Sequence, residues 1–481
     1  MINRIIYSLH RILGTLLSIL FLMWFLTGIV MIYHGFPSAN REEKLAKLGA
    51  IQDESLPSVS EVMARTEQPD SVKGIIVNNY LGNTNFILST SKGREVVAAD
   101  SARQPSEIDG DYIRKVAALW CDAKVMKTDT LSDLEQWIPF GRLRDDLPIY
   151  KFYFGDDNQT QLYISSATGE VLQCTTHSER VWSWLGPIPH WIYFTWLRQN
   201  VDLWKNVIIW ISLLGIFMLF AGFYIAIRSY RQQIRRGKGL KSPYKKLWYK
   251  WHHVAGTIFG IFLLTWIFSG MMSLADTPEW LGREHKQYDY LEVMEKSAPE
   301  LDAYPLDYRK VINHFGGKAT QVEWTHFFDL PTYTVQIEGG EPVVADASGN
   351  DFKPFQLTRQ QVEKAIKSIH GDEHFTVSEM KEYDNYYLDR KHELPLPVWK
   401  VKIDNADKTC YYINPVNGNM RSYNTHSRWA FHLYQGLHSL RYKFLVEHPV
   451  AWTIVMWFLM LAGAFVSLTG VVLGIKYIRR K

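Results

Sequence analysis

Four stretches of the chain are almost continuously apolar and predict membrane-spanning helices. They cover about residues 12–33, 206–227, 254–275 and 451–474. At a rise of about 1.5 Å per residue, roughly twenty apolar residues cross a hydrocarbon core of about 30 Å. The first stretch is too long for a secretory signal sequence, and no small-residue cleavage site follows His34, so we expect it to remain as a span.

Two long polar segments, about 36–180 and 276–430, separate the apolar stretches and have mixed patterns. Residues 358–369 show the apolar spacing of an amphipathic helix. Strand-like patterns, closed by turn residues, cover 150–154, 161–165, 398–403 and 409–413. We therefore expect two α+β lobes, each with a helix packed on an antiparallel sheet.

The second half of the chain repeats the first, which predicts a tandem duplication of a helix–lobe–helix unit. A shift of 242 aligns His10, Gly14, Trp24 and Gly28 with His252, Gly256, Trp266 and Gly270. A shift of 248 aligns His190, Trp204, Gly215 and Gly222 with His438, Trp452, Gly463 and Gly470. A shift of 249 aligns Lys151, Tyr163 and His177 with Lys400, Tyr412 and His426.

This organisation predicts seven consecutive parts. They are a first membrane helix (1–35), a first lobe (36–180), an interfacial segment with the second membrane helix (181–230), a basic linker (231–250), a third membrane helix (251–275), a second lobe (276–430), and an interfacial segment with the fourth membrane helix (431–481).

The distribution of charge predicts the orientation in the membrane. Residues 228–250 contain nine Lys or Arg and no acid, and the first eleven residues contain Arg4 and Arg11 and no acid. The tail after residue 474 ends with Lys476, Arg479, Arg480 and Lys481. By the positive-inside bias, both termini and the linker are expected in the cytoplasm and the lobes in the periplasm of a bacterial inner membrane. The net charge of +4 therefore reflects the orientation in the membrane and does not indicate nucleic-acid binding. Contact of the basic linker with anionic lipid is an alternative explanation for its charge.

The cysteines and the missing sequence motifs limit which cofactors the chain can bind. The chain has three cysteines, and Cys121 and Cys174 are compatible either with a disulfide or with two buried thiols. There is no Cys-x-x-Cys-His sequence for covalent haem attachment. The glycine-rich motifs for NAD, flavin or ATP are also missing from the sequence.

Four histidines combine repeat symmetry with a position near a membrane boundary. We call His10 and His252 the linker-side pair, and His190 and His438 the lobe-side pair. Two imidazole pairs at two depths predict two bis-histidine haem b groups, and the absence of an open iron position favours electron transfer. Gly14 and Gly256 leave room for a flat ring, although helix packing explains them equally.

Other histidines have weaker claims as iron ligands. His253 follows His252 and is equivalent to Arg11, so both are expected to contact a haem propionate. His34 and His432 have no repeat partners. His177 and His426 lie in repeated Thr-His-Ser sequences, where helix capping by Thr or Ser is an alternative explanation.

The chain resembles PepSY-associated transmembrane proteins. The shared features are His10-Arg11-x-x-Gly14, the pairs Thr27-Gly28 and Ser269-Gly270, and the strand–turn endings at 163–169 and 412–418. That family includes iron-regulated inner-membrane proteins and ferric-siderophore reductases with four spans and two haems. The resemblance implies PepSY-like periplasmic lobes, two haem b groups and iron release by reduction. His253 departs from it, because an arginine is expected there.

The expected function is therefore reduction of a periplasmic ferric siderophore, or another ferric chelate, by electrons from an unidentified cytoplasmic donor. A non-enzymatic alternative is a periplasmic binding or protease-regulating module on a membrane anchor. A transporter is a third possibility, but no charged residue lies deep in a predicted span to couple transport to an ion gradient.

Overall fold

The computed structural model describes residues 2–51, 56–66, 69–301, 303–391 and 393–479, so Arg480 and Lys481 of the predicted basic tail lie outside it. Its α-helices are, in chain order, α1 Ile2–Met31, α2 Arg41–Leu45, α3 Val59–Met63, α4 Gly110–Trp120, α5 His177–Leu185, α6 Pro187–Trp191, α7 Thr195–Arg198, α8 Val201–Arg235, α9 Leu247–Met272, α10 Tyr290–Lys296, α11 Tyr308–His314, α12 Arg359–His370, α13 Thr425–Phe431, α14 Leu437–Ser439, α15 Lys443–Val446 and α16 Pro449–Ile478. Its strands are β1 Gly74–Tyr80, β2 Asn83–Thr90, β3 Gly93–Ala98, β4 Val125–Leu131, β5 Ile149–Phe154, β6 Gln161–Ser165, β7 Val171–Thr175, β8 Ala319–Phe327, β9 Leu330–Ile337, β10 Val343–Asp346, β11 Phe375–Met380, β12 Val398–Ile403, β13 Cys410–Ile413 and β14 Met420–Tyr423.

Four helices, α1, α8, α9 and α16, are long and apolar enough to cross a bilayer, as the sequence predicts for a multi-pass membrane protein. Helices α1 and α9 each pack against both α8 and α16, so the bundle runs α1, α8, α9, α16 around a ring. Helix α1 begins ten residues before the predicted span and α9 seven residues before it. His10 and His252 therefore lie inside helices, on opposite corners of the bundle.

Glycine allows the closest helix contacts in this bundle. A Cβ on Gly215 of α8 would lie 2.5 Å from the Phe21 ring, and a Cβ on Gly463 of α16 would lie 2.5 Å from the Phe25 ring. Both phenylalanines are buried on α1. Gly215 and Gly463 are repeat equivalents, so α8 and α16 each pack a glycine against an aromatic side chain of α1.

A six-stranded antiparallel sheet joins the two predicted lobes. Its order is β10-β9-β8-β1-β2-β3, and β1 pairs with β8 through residues 76–78 and 321–323. The pairing aligns Val77 with Val322, which are both buried in the core of this sheet. The sequence patterns predict one sheet per lobe and do not foresee a sheet built from both.

Each lobe also contains a four-stranded antiparallel sheet with an amphipathic helix packed on it. The orders are β4-β5-β6-β7 and β11-β12-β13-β14. Helix α4 buries Ile113 and Val116 on the first sheet, and α12 buries Val362 and Ile366 on the second. The predicted helix at 358–369 is confirmed as Arg359–His370, with Thr358 as its N-cap. The four predicted strands are likewise confirmed as β5, β6, β12 and β13.

The three cysteines are free thiols. Cys121 and Cys174 lie half-buried against the same cluster beside α4, whereas Cys410 is buried in β13. Burial raises the pKa of the Cys174 thiol to about 12, which keeps it protonated at neutral pH.

Candidate functional site

The linker-side pair faces inward from opposite corners of the bundle. His10 comes from α1 and His252 from α9, and the centroids of the two imidazole rings are 6.1 Å apart with an interplanar angle of 44°. The side chains extend from rigid helices, so the separation is set by helix packing. The structure thus brings together the two histidines that the repeat aligns.

Hydrogen bonds fix the orientation of both rings of the linker-side pair. His10 Nδ1 lies 3.0 Å from the carbonyl oxygen of Met218, and His252 Nδ1 lies 2.9 Å from Thr469 Oγ1. The Thr469 hydroxyl donates its own proton to the Val466 carbonyl, so it accepts from the imidazole. Both Nδ1 atoms therefore carry the proton, which leaves the Nε2 lone pairs free.

The lobe-side pair is built in the same way from shorter helices. His190 lies on α6, which packs against α1, and His438 lies on α14, which packs against α9. The ring centroids are 6.3 Å apart, with an interplanar angle of 69°. The two pairs thus have nearly the same separation at opposite ends of the bundle.

Hydroxyl and carbonyl groups also orient the lobe-side rings. His190 Nδ1 lies 3.1 Å from both the Trp24 carbonyl and Thr27 Oγ1. His438 Nδ1 lies 3.1 Å from Ser269 Oγ, which donates to the Trp266 carbonyl. These contacts favour the Nδ1–H tautomer here too, with Nε2 free. Thr27 and Ser269 are repeat equivalents, so a hydroxyl group at the same repeat position contacts the histidine Nδ1 in each half of the chain.

A glycine of a neighbouring helix lies against each of the four rings. An added Cβ would lie 2.8 Å from the His10 ring at Gly222 and 3.7 Å from the His252 ring at Gly470. It would lie 3.3 Å from the His190 ring at Gly28 and 3.5 Å from the His438 ring at Gly270. Gly14 and Gly256, predicted to make room for a flat group, line the linker-side cavity but touch neither histidine ring.

Each pair borders a cavity of ligand size. The linker-side cavity has a volume of about 410 Å³ and the lobe-side cavity about 310 Å³. Ligand pockets in proteins range from about 300 to 1,000 Å³. Phe21 lines both cavities, so the two cavities approach each other at this side chain.

The geometry fits a metal held in a planar cofactor better than a bare ion. Imidazole–metal bonds of about 2 Å and a ring radius of about 1 Å put two rings on opposite sides of one ion about 6 Å apart. Both pairs match this separation. Among the described residues, no group of three or more His, Cys, Asp or Glu side chains is placed to share a metal ion. A metal here would need its other donors from the cofactor itself.

His253 and Arg11 line the linker-side cavity and offer hydrogen-bond donors. His253 is only 8 % exposed and lies between Tyr230 and Tyr244, at ring-centroid distances of 4.6 and 5.3 Å. Within the described part of the chain, neither of its ring nitrogens has a hydrogen-bond partner. The Arg11 guanidinium stacks over Tyr477 at 4.5 Å. A buried imidazole without a partner suits an anionic group in the cavity.

The remaining candidate histidines lie away from both pairs. His34 stacks on Trp182 at 4.2 Å, and His426 Nδ1 lies 2.8 Å from the Gly282 carbonyl. His432 Nε2 bonds the Tyr386 hydroxyl at 3.1 Å. His177 begins α5, whose N-cap is Thr176, as the capping alternative predicts. In the second half, the N-cap of α13 is Asn424, one residue before the Thr-His-Ser sequence.

Sequence reasoning did not assign the groups that orient and support the rings. Gly222 and Gly470 were visible as repeat equivalents, and Thr27 and Ser269 as the first members of the Thr-Gly and Ser-Gly pairs. Their contact with histidine depends on which side of each helix faces the bundle centre. The Met218 carbonyl carries no sequence signal, because every residue has one.

These observations define a four-helix membrane protein with two half-buried, inward-facing histidine pairs between its helices and α+β lobes on one side. The model of the family described as "PepSY-associated TM region" matches residues 137–480, and the chain belongs to this family. The match confirms the resemblance inferred from the sequence motifs. A comparison with curated proteins gives no match.

Proposed function

We propose that the protein binds two haem b groups, one at each histidine pair, and reduces ferric chelates on the lobe side of the membrane. The observation that carries the proposal is the repeated pair geometry, with ring centroids 6.1 and 6.3 Å apart. In both pairs the Nδ1 atoms are engaged by the protein, and the Nε2 atoms remain for iron.

The histidines and their supports have distinct roles in this proposal. His10 and His252 would hold one haem and His190 and His438 the other, leaving no open iron position for oxygen chemistry. Haem b supplies one-electron exchange when it is bound. Hydrogen bonds to Nδ1 fix each imidazole and raise its basicity as a ligand. The apolar side chains in both linings would limit the access of water to a bound haem.

The linker-side cavity offers hydrogen-bond donors that could bind the anionic propionates of the cofactor. On the linker side, His253 and Arg11 line the cavity and are suited to propionate contacts. On the lobe side, Trp24 and Trp266 line the cavity, and Trp266 Nε1 donates to the His438 carbonyl at 2.7 Å. The hydrogen bond makes Trp266 a support for the backbone of His438.

The proposed reaction is a one-electron reduction. A reductant on the linker side loses one electron, and the ferric ion of a chelate on the lobe side gains it and becomes ferrous. Ferrous iron is held less tightly by hard oxygen donors, so the chelator releases it. The lobes would provide the docking surface, because a polar chelate does not enter the bilayer. A ferric siderophore is the proposed substrate, and the bacterial inner membrane is the proposed location.

A visible spectrum and an iron assay test the proposal together. The full chain, purified after haem-replete expression, should show a Soret band and sharp reduced bands, with about two haems per protein. In proteoliposomes with reductant inside and a ferric chelate outside, a ferrous-iron trap outside should respond. A protein without haem would leave a binding module on a membrane anchor. Reduced haem without iron reduction for any chelate would leave only an electron carrier.

The proposed orientation gives a separate prediction. Gly237 lies in the basic linker and Gly349 in an exposed turn of the second lobe. A phosphatase that is active only in the periplasm should be inactive when fused after Gly237 and active when fused after Gly349, because basic segments stay in the cytoplasm. Activity at Gly237 would contradict the orientation, and equal expression of both fusions is the control.

The glycine at the His10 ring predicts a selective defect. A Gly222→Ala methyl group would lie 2.8 Å from His10 Cε1, so the imidazole must move away from its ligand position. We expect weaker binding or a shifted potential of the linker-side haem, with the lobe-side haem unchanged. Gly463→Ala is the matched control for the linker-side haem, because this helix glycine lines neither cavity and its methyl group crowds the Phe25 ring at 2.5 Å instead of a histidine. Identical spectra and potentials for Gly222→Ala and the wild type would contradict the assignment.

A further inference from the structure

Each four-stranded sheet contains a lysine–carboxylate–tyrosine triad at an equivalent position. In the first lobe, Lys151 Nζ lies 2.6 Å from Glu135 Oε1, which also accepts a hydrogen bond from Tyr163. In the second lobe, Asp384 accepts from Lys400 and, at 2.7 Å, from the Tyr412 hydroxyl. A shift of 249 relates all three members, although the acid changes from Glu to Asp. Lys151 and both tyrosines are buried.

The triads hold ionised groups in place. Burial opposes ionisation of Asp384, but hydrogen bonds from Lys400, the Tyr387 amide and Tyr412 outweigh it and lower the pKa of this carboxyl. A buried ion pair is weak support for stability, because both charges lose their hydration. Such pairs do impose a specific geometry, and here the same geometry recurs in both halves of the chain.

In the first lobe, the triad leads directly to the backbone that follows His190. Gln136 comes next to Glu135, and its amide donates to the Tyr193 carbonyl at 2.6 Å. Its side-chain oxygen accepts from Thr195 at 3.3 Å. These two partners lie three and five residues after His190. Ile188, two residues before His190, is buried in one cluster with Tyr163 of the triad.

In the second lobe, the loop that contains Asp384 is hydrogen-bonded to the residues three and five positions after His438. Asn385 comes next to Asp384, and its side-chain oxygen accepts from the Lys443 amide at 3.1 Å. The Leu388 carbonyl accepts from the Arg441 guanidinium. Arg441 and Lys443 lie three and five residues after His438, as Tyr193 and Thr195 do after His190.

We propose that the two triads are positioning groups for the lobe-side histidine pair, connecting the folded lobes to the backbone that carries His190 and His438. The inference rests on the proposed function, since it assigns the lobe-side pair a cofactor. Each triad fixes one loop of its lobe, and that loop fixes the segment just beyond the histidine. Loss of a triad should therefore change the lobe-side ligand geometry and leave the linker-side pair as it is.

The test removes one hydroxyl at a time. Tyr163→Phe and Tyr412→Phe each delete a hydrogen bond to the triad carboxylate with little change in volume. The readouts are the two haem midpoint potentials and the low-spin electron paramagnetic resonance signals of the purified full chain. We expect a shifted potential and altered signal for the lobe-side haem only, and a larger change in the double variant. Tyr333→Phe is the matched control, because this buried tyrosine donates to the Leu306 carbonyl in the six-stranded sheet.

Further variants and a measurement that does not need haem distinguish failure of the positioning role from failure of the proposed function. Gln136→Ala and Asn385→Ala break the same connection outside the buried triads and serve where a tyrosine variant does not fold. Hydrogen exchange of residues 187–195 and 437–445 should quicken in the triad and connecting variants but not in Tyr333→Phe. If the wild type holds no haem, the proposed function fails, and this exchange alone decides the positioning role. Unchanged potentials, signals and exchange in all triad and connecting variants would overturn it.

Discussion

Replacing His10 or His252 by alanine is expected to lower the haem content from about two per protein to about one, because an iron that loses one axial imidazole is poorly held. Each ring contributes a single Nε2 from an opposite corner of the bundle, and the centroids lie 6.1 Å apart. The other side chains that line this cavity are mostly apolar, so no imidazole stands ready to substitute except the adjacent His253. The remaining spectrum should be that of the lobe-side haem alone.

Reciprocal variants serve as the control for this experiment. His190→Ala or His438→Ala should leave the complementary spectrum, so the sum of the two residual spectra should reproduce the wild type. His34→Ala should retain both haems, since its ring stacks on Trp182 beyond the end of α1. An unchanged haem content in either His10→Ala or His252→Ala would exclude that residue as a ligand. Loss of both haems would show that the two sites depend on each other.

The sequence was sufficient to predict the membrane helices and the pairing of the histidines. Long apolar stretches leave little choice of structure, and the repeat indicated which histidine faces which. The ends of the helices could not be predicted as well from the apolar pattern. Helix α1 continues to Ile2 because its first turns, although they include Asn3 and Arg4, have no helix-breaking residue.

Long-range features were beyond the sequence patterns. The pairing of β1 with β8 joins residues about 245 positions apart, and alternation within a strand does not specify such a partner. The choice of Gly222 over Gly14 beside the His10 ring depends on how α1 and α8 are rotated relative to each other. The triads were not predicted because their acidic members, Glu135 and Asp384, are not identical. The repeat therefore identified only the lysine and tyrosine members.

Replacing His190 or His438 by alanine is expected to abolish reduction of a ferric chelate outside proteoliposomes while reduction of the linker-side haem survives. The lobe-side pair lies at the end of the bundle that faces the lobes, where a polar chelate can dock. The linker-side pair lies further from the lobes, because His10 precedes Trp24 and Thr27, the α1 residues that contact His190, by 14 and 17 residues, which is about 20–25 Å of helix. Electron transfer over such a distance without an intermediate group is too slow to sustain turnover, so the loss should be nearly complete.

The measurement is ferrous-iron trapping with reductant inside and chelate outside, combined with the visible spectrum of the same vesicles. His314→Ala is a suitable control, because this lobe histidine stacks on Phe352 at 3.8 Å and lines neither cavity. Its iron reduction should equal that of the wild type. Iron reduction that persists in a variant lacking the lobe-side haem would place the exit site elsewhere. In contrast, a variant that keeps this haem but loses iron reduction would locate the defect in docking, because the electron would still reach the lobe side without an acceptor.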